Sequence, residues 1–197
     1  MTLVDSSIRE RLRQHYNGPD RHYHNNAHIA ELLGLLALHH GALDDAEAVE
    51  AAIWFHDAIY DSQAKDNEAQ SAALAADWLG ETVAPDRLAR IVRMIEATAG
   101  HGVGDALAAG EAADTALFLD MDLSILASSS DRYEAYEAAV RREYAWVDDA
   151  TWRQRRAEFL RQFLARPVIF HTAAFRSAHE TAARANMARS LKRLEAG

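Results

Sequence analysis

DDAEAVEAAIWFHDAIYD, residues 44–61, starts polar and becomes almost wholly apolar from Ala51 to Tyr60, with a single histidine-aspartate pair, His56 and Asp57, inside the apolar run. A helix that is apolar on most of its faces belongs in an interior. The segment is read here as one helix running on to Asp61, so that Asp61, four residues after Asp57, falls one turn further along the same face. The same burial would take the Asp57 carboxylate out of water, which is costly unless the charge is paired or bound to a metal. No lysine or arginine lies within a helical turn to pair with it. A distant arginine or a capping role would be the ordinary solution, and a metal ion shared with His56 the chemical one.

Upstream, RHYHNNAH places three histidines in the eight residues from Arg21 to His28. The helix AHIAELLGLLALHHG follows, with Asn25 or Asn26 as its cap and Gly41 as its stop. Turned at 100° per residue, His28 shares a line with Leu32, Leu35 and His39 and is flanked by Ile29 and Leu36. His28 therefore faces inward, while His22 reads as incidental and His24 as either exposed or a substrate contact. An inward histidine by itself is as readily a core residue as a ligand.

Downstream, helices are expected over Asp66–Leu79, ending at Gly80, and from Pro85 to near Gly100. HGVGDALAAGEAAD, holding three of the nine glycines, reads as a loop. TALFLDMDLSIL resumes helical patterning, and in it Asp122 repeats the anomaly of Asp57, because Phe118, Leu119, Ile125 and Leu126 stand three and four residues away. Asp120 has a less uniformly apolar setting and reads as an acid that supports the ligands or lies at the surface. DRYEAYEAAVRREYAWV opens with a capping box of Asp131 and Glu134, and helices around Trp152–Leu164 and Ser177–Leu194 complete the chain. With alanine and leucine dominant and prolines only at Pro19, Pro85 and Pro167, the 197 residues point to an all-α, single-domain helical bundle.

The net charge of −9 argues against a nucleic-acid polymer or an anionic membrane as partner. The charge is uneven, −13 over residues 1–130 and +4 over residues 131–197, which suits either an anionic substrate near the basic end or plain neutralisation. Without cysteine there is no disulfide, thiolate metal site or cysteine nucleophile. No signal-peptide core or membrane-length apolar run is present, so a soluble cytoplasmic protein is expected.

His28, then His56-Asp57, then Asp122 in LDMDLSIL follow the order of ligands in the HD superfamily of metal-dependent phosphohydrolases, which the chain resembles. YHNNAH, WFHDAIYD, DNE and FLDMDLSIL, spanning Tyr23 to Leu126, are similar to a small bacterial group of predicted HD phosphohydrolases. The resemblance implies a single HD-type domain over residues 1–197, with the metal-site core at about residues 21–126 and C-terminal helices over residues 131–195 packing on it. It makes His28, His56, Asp57 and Asp122 the ligands of one divalent ion, with Mn, Fe, Zn, Co, Ni and Mg all compatible with imidazole and carboxylate donors. It further implies hydrolysis of a phosphoester or pyrophosphate bond in a small phosphorylated molecule, a nucleotide among the options, by metal-activated water. HDAIYD also resembles the His-Asp-x-x-Glu-Asp run of the branch that removes pyrophosphate from hyperphosphorylated guanosine nucleotides; Asp61 matches the last acid, but Tyr60 stands where that branch has glutamate.

On this reading Asp61 handles the water or leaving-group proton, and Arg21, His24, Lys65 and His101 are candidate substrate-binding residues. Arg142, Arg176 and Arg184 could meet phosphate from the basic end, although each equally suits a salt bridge or solvent. His39, His40, His171 and His179 read as structural or exposed. Two other functions fit the same scaffold: a ligand-sensing module without turnover, and a di-iron oxygenase, which would need more intervening histidines than this chain supplies.

Overall fold

The computed structural model describes residues 2–196. Among these residues there are nine α-helices and two short 3-10 turns, with no strand, as the composition leads one to expect. Packing groups the chain into two compact units, one ending at Met121 and the other beginning at Asp122.

The first unit holds α1 (Ser6–His15), α2 (Asn26–His39), α3 (Ala46–Phe55), α4 (Asn67–Leu79), α5 (Pro85–Ala97) and α6, which spans Ala109–Asp122 and so crosses the boundary by its last residue. At its centre is α3, in which every residue from Ala51 to Phe55 is buried, against α2 and α5. The Asn25 side chain accepts the Ala27 N–H and starts α2; Pro85 opens α5, and Gly80 closes α4. Although its mean composition is polar, α1 forms because Asp5 caps it at the Ile8 N–H and Leu12 is fully buried.

Three expectations need correction. The helix beginning at Ala46 stops at Phe55, with His56 as its C-cap, so Asp61 is not on the same helix as His56. Bonds from elsewhere replace the helical ladder beyond that point: Arg21 donates to the Asp57 and Ala58 carbonyls at 2.6 and 2.9 Å, and Ser71 Oγ both accepts the Ile59 N–H and donates to the Ile59 carbonyl. Asn67 then clamps Asp61 through its N–H and carbonyl, each at 2.9 Å. Second, the glycine-rich loop is shorter than expected, because α6 begins at Ala109, anchored by the buried carboxylate of Asp114. Third, α7 begins at Ser130 with no side-chain cap; Asp131 lies in its first turn and Glu134 pairs with Arg193 instead of closing a capping box.

The second unit contains a 3-10 turn over Leu123–Ala127 and the helices α7 (Ser130–Glu143), α8 (Asp149–Ala165) and α9 (Ala173–Ala196). Asn186 of α9 donates to the carbonyls of Leu126 and Ser128 and so fixes the turn that follows Asp122. No helix among the described residues is long and apolar enough to cross a membrane.

Candidate metal centre

Two helix ends bring the first donors together. His28 lies in the first turn of α2 and is 4% exposed; His56 closes α3 and is 2% exposed. The His56 ring is oriented by its own helix, since Nδ1 stands 2.8 Å from the Ile53 carbonyl, a group that can only accept. Nδ1 therefore meets that carbonyl as an N–H, which leaves Nε2 as the nitrogen that would bind a cation. That nitrogen is 3.2 Å from Nε2 of His28 and 3.0 Å from Oδ2 of Asp57, which in turn is 3.9 Å from His28 Nε2. A single proton can bridge one of these pairs, whereas a cation satisfies all three donors at once.

The Asp57 side chain is 16% exposed. Burial works against its charge, yet the imidazoles of His56, His24 and His28 outweigh that and hold its carboxyl well below the usual range. Arg21 donates to the Asp57 backbone carbonyl. Asp122, the last residue of α6, completes the group: His28, His56 and Asp122 each offer a ligand atom within 4.8 Å of the others. His28 and His56 thus stand with Asp57 on one count and with Asp122 on the other, and the His28, His56 and Asp122 group could hold a metal ion.

The remaining candidates fall out differently. His24 is half-buried and stacks on Tyr60 at 4.3 Å between ring centroids, with its edge toward His28 at 6.3 Å. Tyr23 packs against both histidines, 5.0 Å from each ring. Arg21 donates to the carbonyls of His24, Asp57 and Ala58, so it braces the lead-in to α2 against the exit from α3. Asp61 is exposed and its Oδ1 accepts the Gln63 N–H. Lys65 is exposed on the same loop. His101 follows α5 in a left-handed conformation, φ 47°, half-buried. His22 is exposed. Asp120 is fully buried, which removes the surface alternative for it. At the basic end, Arg142 is exposed, Arg176 donates to the His171 carbonyl, and Arg184 holds Glu180 and the Leu164 and Arg166 carbonyls.

Two contributors escaped the sequence reading. Ser71, fully buried, holds the turn after Asp57, and Phe118 sets its edge on the His56 ring at 5.8 Å. The signal for Phe118 was present, four residues before Asp122 on one helical face. Nothing local marks Ser71, whose partner is twelve residues away. A cavity of about 550 Å³ lies elsewhere, lined by Asp44, Arg87, Arg90, Arg93, Gly110 and Glu111, but its three guanidiniums are already paired with carboxylates. No protein-family model, curated protein or solved structure matches this chain.

Proposed function

We propose that the chain is a metal-dependent phosphohydrolase of the HD type, acting on a phosphoester or pyrophosphate bond of a small phosphorylated molecule. The observation that carries this reading is the convergence of His28 Nε2, His56 Nε2 and Asp57 Oδ2 within 3.9 Å, with His56 Nδ1 turned to the Ile53 carbonyl. These three groups and Asp122 would hold one divalent ion, which when bound supplies Lewis acidity toward water and a phosphoryl oxygen.

The chain's own residues then have separable tasks. The Ile53 carbonyl, 2.8 Å from His56 Nδ1, would keep Nε2 of that ring directed at the centre. Phe118 and the buried faces of α2 and α3 limit water behind the ligands. His24, half-buried beside His28, would hydrogen-bond a phosphoryl oxygen, and its stacking on Tyr60 restricts its ring. Asp61, exposed and four residues after Asp57, would be the residue that handles the water or leaving-group proton.

The test is elemental analysis of the purified chain and of Asp57→Asn and Asp122→Asn, alongside phosphate and pyrophosphate release from a panel of small phosphorylated compounds with Mn, Fe, Co, Ni, Zn or Mg. One metal per chain in the native protein, lost in both variants with circular dichroism unchanged, is the expected result. Metal retained in both variants, or no release from any substrate by the metal-loaded protein, overturns it.

A further inference from the structure

Asp114 is fully buried on α6, and the sequence gives it no obvious function. Its two carboxylate oxygens accept the backbone N–H groups of Asp44 and Asp45 at 2.9 and 2.8 Å, and Oδ2 also pairs with Arg90 of α5. Asp45 is the N-cap of α3: its side chain accepts the Ala48 N–H and receives Arg87 through two bonds. Arg90 reaches further, to Asp44 Oδ2 and the Gly110 carbonyl. At Gly110 the approach is so close that a Cβ would stand 2.9 Å from Cγ of Asp44. One carboxylate thereby ties the start of α3 to the early turns of α6.

The opposite ends of the same two helices carry the candidate ligands. Asp122 lies eight residues beyond Asp114, and His56 eleven residues beyond Asp45. At the helical rise these separations are about 12 and about 16 Å, so a shift of α6 along its axis at Asp114 is transmitted to Asp122 with little loss. A displacement of half a helical turn would remove Asp122 from reach of a shared ion.

We infer that Asp114 is a positioning residue for the candidate metal centre, fixing the register of α6 against α3 so that Asp122 meets His28 and His56. This rests on the metal reading above. A buried carboxylate serving stability alone would make the same bonds, so the two roles must be separated by a property of the metal site.

Cobalt(II) titration of the metal-free chain, followed by its visible ligand-field spectrum, makes that separation. For Asp114→Asn the expected result is cobalt affinity weakened about tenfold or more, the scale on which supporting partners of ligands act, with altered band positions. Arg90→Gln keeps both backbone bonds to Asp114 and is expected to show a smaller change in the same direction; it decides the question if Asp114→Asn does not fold. Glu180→Ala is the control, because it removes the acceptor of the Ile169 and Phe170 N–H groups in the second unit and should lower thermal stability with the cobalt spectrum intact. Reduced stability in Asp114→Asn and Arg90→Gln with native cobalt affinity and spectrum overturns the inference. A native chain that binds no cobalt overturns the metal reading, and this inference with it.

Discussion

At the scale of single residues, the discriminating feature is which way each histidine faces. His56 commits Nδ1 to Ile53 and leaves Nε2 inward, while His22, in the same histidine-rich stretch as His28, is exposed. Replacing His28 or His56 by alanine should therefore abolish metal binding, and His22→Ala should leave it at one ion per chain, as measured by elemental analysis; equal losses in all three would remove the distinction between inward and exposed histidines. His28 and His56-Asp57 were legible because each is a polar residue at an apolar helical position. Asp122 was legible for the same reason, yet the projection ranked Asp120 as the more superficial of the two acids, and it is the more deeply buried. Periodicity within one helix counts the sizes of neighbours along that helix; it does not register what the other helices place against it. Asp114 shows the same limit, since its partners are backbone N–H groups of residues 44 and 45, far away in sequence.

At the scale of elements, the extent of α3 is the instructive case. AAIWFHDAIYD carries no proline or glycine and invites a helix to its end, but the chain leaves the helix at His56 because Arg21, Ser71 and Asn67 supply bonds to the following turn. Tertiary bonds of this kind override local preference and have no local signature. Helix starts were read more securely: Asn25 and Pro85 act within a turn of themselves. Ser71→Ala tests the turn directly. It leaves the Ile59 N–H and carbonyl without their partner and should destabilise the chain by about 1–2 kcal/mol, measured by urea unfolding, and raise hydrogen exchange over residues 57–61. A neutral effect on both would show that the turn is held without Ser71.

At the scale of the whole molecule, acidity dominates: the net charge is −9, and the residues up to 130 alone carry −13. Such an excess makes the few arginines of that region structurally important, and three of them, Arg87, Arg90 and Arg93, line one side of α5 against Asp45, Asp114 and Glu111. Asp45 gives the cleanest probe, because asparagine can retain its capping bond to Ala48 while losing the charge seen by Arg87. The hydrogen bond from Arg87 holds the Asp45 carboxyl below its ordinary value, against the opposing effect of partial burial. A carboxyl whose pKa is lower in the folded than in the unfolded chain stabilises the fold at pH values above its unfolded pKa, and that contribution fades as pH falls through the folded one. Asp45→Asn should thus be less stable than the native chain at neutral pH by about 1 kcal/mol, after allowance for solvent screening of a partly exposed pair. Urea unfolding at a series of pH values should show the difference narrowing in acid and vanishing once Asp45 is protonated in both states. A difference that stays constant across the series would place the lost stability in the cap geometry and not in the charge of Asp45.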